Sequence, residues 1–223
     1  MKQKTLIVLG LGTLAFFACK KENNVAPSEK NALTINVVDS SKKAIPNSYI
    51  NITHFVSQNY FLIINDSTGT DGVFNVEKLI EGDYLLKVSS KKGKKIYSDT
   101  KYFQVVADVQ KTISINPFRN YGAIIVTAKD EESAVISDIN VAVIPNYIYS
   151  SSYTLAQLKA KAWETVKTDS NGRAVFADLP AVTEDTYSFL FYKSTGEFDY
   201  PYGVISLSKG QTDSITQTVN LHQ

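Results

Sequence analysis

The chain has 223 residues, 43% hydrophobic and 20% charged, with 23 Lys and Arg against 22 Asp and Glu and one cysteine. That length supports one large or two small domains, and a single cysteine permits no internal disulfide. The near-neutral balance supplies no basic field for a phosphate backbone, so nucleic acid is excluded as a partner.

The chain opens MKQKTLIVLGLGTLAFFACKKEN: Lys2 and Lys4 precede an uncharged, largely apolar run from Thr5 to Ala18. A helix crossing a bilayer core needs about 20 apolar residues. This shorter run therefore reads as the h-region of a secretory signal spanning residues 1–18. Cys19 follows at once. The stretch FFAC (Phe16, Phe17, Ala18, Cys19) resembles the bacterial lipobox, with Phe16 where leucine is usual. The resemblance implies cleavage before Cys19, a diacylglyceryl group on its sulfur and acylation of the new amine. Membrane lipid is then a partner, each buried methylene contributing about 0.8 kcal/mol. Residues 19–31, the cysteine and a polar stretch without periodicity, read as a flexible tether. The KKE beside the cysteine resembles the export signals of surface lipoproteins in the Bacteroidetes, and a plain solvated linker would look the same. The expected location is the cell envelope, anchored at the outer membrane and facing either periplasm or surface. Loss of residues 1–18 leaves 21 basic against 22 acidic side chains.

The remaining chain repeats itself. TGTDGVFNVEKL (68–79) aligns with TDSNGRAVFADL (168–179), so that Gly72 meets Gly172, Val76 meets Phe176 and Leu79 meets Leu179. Upstream, INVVDSSKKAIPNSYINI parallels VTAKDEESAVISDINV; downstream, DYLLKV parallels TYSFLF, with Tyr84 opposite Tyr187. Each copy offers seven short runs that alternate or stay apolar and are rich in Val, Ile, Tyr, Phe and Thr, separated by polar or glycine turns. That spacing predicts a β-sandwich. Pro117 and Gly122 interrupt the pattern, giving expected domains at 32–117 and 118–223.

These motifs resemble the carboxypeptidase regulatory-like domains, transthyretin-like (prealbumin-type) sandwiches related to the CnaB modules. Copy one carries the pattern through Asp39, Pro46, Thr68, Gly72, Phe74, Leu79, Gly82 and Tyr84, with Gly69 where Asp is usual. Copy two keeps Asp130, Thr168, Asp169, Gly172, Phe176, Leu179 and Tyr187, with Ala174 for the first aromatic. The expected fold class is all-β: two tandem Ig-like or transthyretin-like sandwiches. The resemblance implies an accessory or structural module rather than an enzyme.

Catalysis has little to draw on. His54 and His222 are the only histidines; His54 falls in a strand pattern, on a solvent or partly buried face. No acid–base carboxylate pair and no phosphate loop stands out, so neither catalytic residue nor cofactor is expected. TDSNG offers oxygens for calcium but lacks EF-hand spacing, and TGTDG loses its first carboxylate, so a positive-φ turn explains both. No metal is expected. The individual feature is an insertion in copy two at 145–163. There Thr154 and Gln157 form a capping-box pattern before LAQLKAKAW, predicting a short helix. Tyr147, Tyr149, Tyr153 and Trp163 surround it, and Tyr200 and Tyr202 follow later. Tyrosine joins apolar area to a polar tip, so these six are either a binding surface for an envelope protein or polysaccharide, or the packing of the helix.

Overall fold

The computed structural model describes residues 32–57, 59–181 and 186–222, and for residues 201–204 the backbone alone. Cys19, the signal reading of residues 1–18 and the tether of 19–31 lie outside the described residues.

The alternating runs of copy one become β1 (Leu33–Val37), β2 (Tyr49–Val56), β3 (Asn59–Ser67), β4 (Val73–Val76), β5 (Gly82–Lys92), β6 (Lys95–Val105) and β7 (Lys111–Ile115). A single 3₁₀ turn at Pro117–Arg119 follows. Copy two supplies β8 (Tyr121–Lys129), β9 (Asn140–Pro145), helix α1 (Leu155–Lys161) and β10 (Glu164–Lys167), then β11 (Arg173–Pro180), β12 (Thr186–Tyr192), β13 (Phe198–Ser206) and β14 (Thr212–Thr218). The fold is all-β, two tandem sandwiches with one short helix in the second.

Both copies build the same pair of sheets. The order β4-β1-β7 opposite β3-β2-β5-β6 recurs as β11-β8-β14 opposite β10-β9-β12-β13. In each three-stranded sheet the first strand lies in the centre, antiparallel on one side and parallel to the copy's last strand on the other. Period-two alternation places Leu33, Ile35 and Val37 of β1, and Tyr84, Leu86 and Val88 of β5, in one buried cluster with Ile50 and Ile52. In copy two Ile124, Val126, Val141, Val143, Phe176, Phe189 and Phe191 do the same.

The copies differ on the outer face of the four-stranded sheet. In β2 the outward positions are Asn51 and Thr53, and in β5 Lys87 and Ser89. Their counterparts in β9 and β12 are Ala142, Ile144, Leu190 and Tyr192. Ala142, Ile144 and Leu190 are buried beneath Leu158 and Ala162 of the α1 segment. Copy two is thus three layers deep there, and β9 and β12 are apolar almost throughout, Ser188 excepted, because both faces are covered. The helix starts in a complete capping box. Thr154 Oγ1 accepts from Gln157 N at 3.3 Å, and the Gln157 side chain accepts from Thr154 N at 2.8 Å.

His54 sits on the inner face of β2 rather than toward solvent. Its ring stacks on Tyr84 at 4.5 Å, and Tyr84 stacks on Phe103 at 5.3 Å, a ladder across three strands. Gly82, two residues before Tyr84 and with φ +149°, leaves room for the imidazole: a Cβ there would stand 2.4 Å from His54 Nε2.

Candidate functional site

The repeated loop is an architectural device in atomic detail. Thr168 is buried and its Oγ1 accepts from Ile139 N at 3.2 Å, as Thr68 Oγ1 accepts from Ser48 N at 2.9 Å. Asp169 Oδ1 accepts from the amides of Asn171 and Arg173 at 2.8 and 2.9 Å, and Asp71 Oδ1 from Val73 N at 3.0 Å. Gly172 and Gly72 have φ of +69° and +70°, and a Cβ on either would fall 2.7 Å from a backbone carbonyl of β8 or β1. The loop's first carboxylate oxygen thus holds the chain in place. Asp39 is engaged likewise: a hydrogen bond from Ser41 Oγ, with others from the amides of Lys43 and Ser41, holds its carboxyl below the ordinary range. No cluster of three or more metal-ligating side chains occurs among the described residues.

The six aromatics near the insertion divide into separate groups. Trp163 packs into the core of copy two, edge-on to Tyr187 at 5.9 Å, and Tyr147 caps it at 6.3 Å while remaining exposed. Tyr149 and Tyr153 lie half-buried against the α1 layer on the other side of the same sheet. Tyr200 is exposed on β13, edge-on to Phe198 at 5.1 Å. Tyr202 pairs with Phe189 through the β13–β12 register. Tyr147 and Trp163 come together; Tyr149, Tyr153 and Tyr200 do not join them. Lys159 Nζ stands 4.0 Å from the centre of the Tyr192 ring, within cation–π range.

A second constellation escaped the sequence reading. The β5–β6 hairpin, KKGKK (91–95), reaches into copy two. Lys92 pairs with Asp178 at 3.0 Å, and Lys95 Nζ with Glu164 at 2.6 Å and the Asp178 carbonyl at 2.5 Å. Lys94 Nζ donates to the carbonyls of Ala160 and Ala162 at 3.0 and 3.1 Å, where the end of α1 presents unsatisfied acceptors and the negative end of its dipole. Tyr97 is buried, donates to the Asp178 carbonyl at 3.2 Å and meets Phe118 edge-on at 5.4 Å. Asn120 Nδ2 closes the joint on Ser98 O at 2.7 Å. Burial pushes the Tyr97 hydroxyl well above its ordinary range, aided by the charges of Asp178 and Glu164. Burial also pushes the Asp178 carboxyl up, but the hydrogen bond from Lys92, the adjacent Tyr97 hydroxyl and the charges of Lys92 and Lys95 outweigh it. That carboxyl is therefore held below the ordinary carboxylate range.

No protein-family model matches the chain, and no curated protein matches it in sequence. Among solved structures, the streptococcal ancillary pilin is 14% identical, with a TM-score of 0.43 over 86% of this chain and 62% of that one. The Bacillus anthracis TIE protein is 17% identical, with a TM-score of 0.38 over 84% of this chain and 34% of that one. Klebsiella pneumoniae 5-hydroxyisourate hydrolase is 15% identical, with a TM-score of 0.30, and matches 39% of this chain and 90% of its own. The chain thus spans about a third to under two thirds of the first two. These are likenesses of fold. Together the strand order and the joint define a tandem β-sandwich protein. No helix among the described residues is long and apolar enough to cross a membrane.

Proposed function

We propose that the protein is a non-catalytic, lipid-anchored scaffold of the cell envelope, held through Cys19 and presenting its sandwiches to a protein or polysaccharide. One observation carries the scaffold reading. The side chains that could do chemistry in the repeated loops are engaged in turn hydrogen bonds, and the lysine hairpin locks one sandwich to the other. A module built this way holds shape and spacing. The lipid anchor rests on FFAC and its position after the h-region. Among the described side chains of this aromatic group, Tyr147 in the insertion and Tyr200 on β13 are exposed and form the better binding candidates. A spacer or assembly part without a ligand of its own is the second reading, favoured by the packing roles of Trp163, Tyr149 and Tyr153.

Two measurements test the proposal. Replacing Cys19 by Ser should abolish acyl labelling and release the protein from membranes; retention of label refutes the anchor. Glycan arrays and envelope pull-downs with wild type and the double variant Tyr147→Ala/Tyr200→Ala test presentation. Binding lost in a folded variant supports the aromatic surface, whereas no binding by wild type leaves the spacer reading.

A further inference from the structure

The exposed apolar side chains of copy one gather at one end of its sandwich. The strand registers define that end. Leu33, the start of β1, lies beside Val76 at the end of β4 and Lys111 at the start of β7. In the facing sheet Phe55, near the end of β2, lies beside Tyr60 and Asp83, and Asp83 beside Gln104 near the end of β6. The two sheets meet there, where Lys111 Nζ donates to Gln104 O at 3.1 Å, while within the small sheet Lys111 N donates to Ala32 O at 3.0 Å. At this end Phe55, Val56, Tyr60, Phe61, Val106 and Val109 are all exposed. An open groove of about 530 Å³ runs between Phe55, Tyr60, Tyr102 and Phe103. The opposite end holds the β5–β6 hairpin and the joint to copy two. Elsewhere among the described residues large exposed hydrophobics are scattered, as on ordinary surfaces.

The chain outside the structure leaves from this same end. Ala32 lines a small cleft together with Val105, Val106 and Val109, and twelve residues, 20–31, separate it from Cys19. The thirteen links from Cys19 to Ala32 span at most about 45 Å, so an anchored Cys19 keeps the apolar end within that distance of the bilayer. A short link makes a second contact effectively intramolecular, and weak apolar contact then suffices. Exposed phenylalanine, valine and tyrosine at a strand hairpin and the neighbouring loop suit the headgroup–acyl boundary, where tyrosine can keep its hydroxyl in water. The charges nearby, Glu77, Glu81, Asp83 and Asp108 against Lys78 and Lys111, offer no net attraction to anionic lipid. The contact is apolar.

We infer that this end of copy one docks onto the lipid surface, so that the anchored protein stands on its first sandwich and carries the second outward. The inference rests on the Cys19 anchor proposed above. It is tested in the full-length protein, purified with its lipid and reconstituted in phosphatidylcholine vesicles with brominated acyl chains. Phe61→Trp, in the β2–β3 hairpin, and Val109→Trp, in the β6–β7 loop, each add one indole to the single native Trp163. The expected result is quenching of the added emission in both variants, unchanged by salt, with the wild-type Trp163 signal unquenched. An acyl-labelled protein whose added indoles stay unquenched overturns the docking alone. Unquenched indoles whose emission shifts to the blue with rising protein concentration overturn it in favour of a second copy. Absence of acyl label overturns the anchor and the docking with it.

Discussion

Leu158 is the buried residue of α1, enclosed by Ala142, Ile144, Ala162 and Leu190. A seven-residue helix does not persist alone in water, so its place on the sheet depends on this side chain and the Thr154 cap. Truncation of a buried leucine to alanine costs about 2–5 kcal/mol, least where the surroundings can close in. A short surface helix can settle, so Leu158→Ala should cost about 2–3 kcal/mol. The loss should be local, because α1 covers the outside of the four-stranded sheet and takes no part in the core between sheets. At about 1.4 kcal/mol per tenfold, α1 amides should exchange hydrogen roughly 30- to 150-fold faster. Amides of β8, β11 and β14 should change far less. Lys87→Ala, on the bare counterpart face of copy one, serves as the control and should leave exchange unaltered. Unchanged α1 protection, or equal loss across every strand of copy two, would refute the assignment of α1 as a separately held layer.

The repeated turn gives a paired test. Gly72→Ala and Gly172→Ala each combine a positive φ with a Cβ 2.7 Å from a carbonyl, and each should lower stability by at least about 1 kcal/mol in urea unfolding. Equal midpoints would sink the steric account. At the joint, the Lys95 side chain is 15% exposed, and Lys95→Met removes the Glu164 ion pair and leaves the Asp178 carbonyl to Tyr97 alone. Proteolysis between the sandwiches, at 116–121, should quicken by about an order of magnitude, for a contact of about 1–2 kcal/mol. Asp178 adds a pH signature. Its carboxyl titrates lower in the fold than in the unfolded chain, so its contribution is present above pH 3.8 and is lost as pH falls through the depressed value. The urea midpoint of wild type should exceed that of Asp178→Asn at neutral pH and converge with it in acid; a constant gap contradicts the pairing.

Much of the architecture was legible because the repeat compares the protein with itself. Thr68 with Thr168, Gly72 with Gly172 and Tyr84 with Tyr187 keep the same jobs; the last pair send their hydroxyls to Ile80 O and Pro180 O. The helix, too, was written in its capping pattern, and its landing face in the change from Asn51, Thr53 and Lys87 to Ala142, Ile144 and Leu190. Two features were hidden. KKGKK looks like any solvated hairpin, because its partners Glu164 and Asp178 arrive some 70 to 85 residues later and only tertiary packing joins them. YFLII is one of the apolar strand runs, yet Tyr60 to Ile63 are exposed on both faces. Periodicity reports what a strand could bury, and β3 lies at the edge of its sheet. The insertion aromatics were visible as a group, but their division between core, helix layer and solvent depends on which face of one sheet each occupies.

The central strands bear on how the molecule carries load. In copy one the chain enters through β1 and leaves through β7, and these two are parallel neighbours over five registered pairs. In copy two β8 and β14 repeat the arrangement over seven. Parallel neighbours have their entry and exit at opposite ends, so tension along the chain slides one strand past the other. The evenly spaced hydrogen bonds of a parallel ladder then resist together instead of opening one by one. A protein pulled between its two termini therefore meets force in shear, twice in series, at the middle of each small sheet.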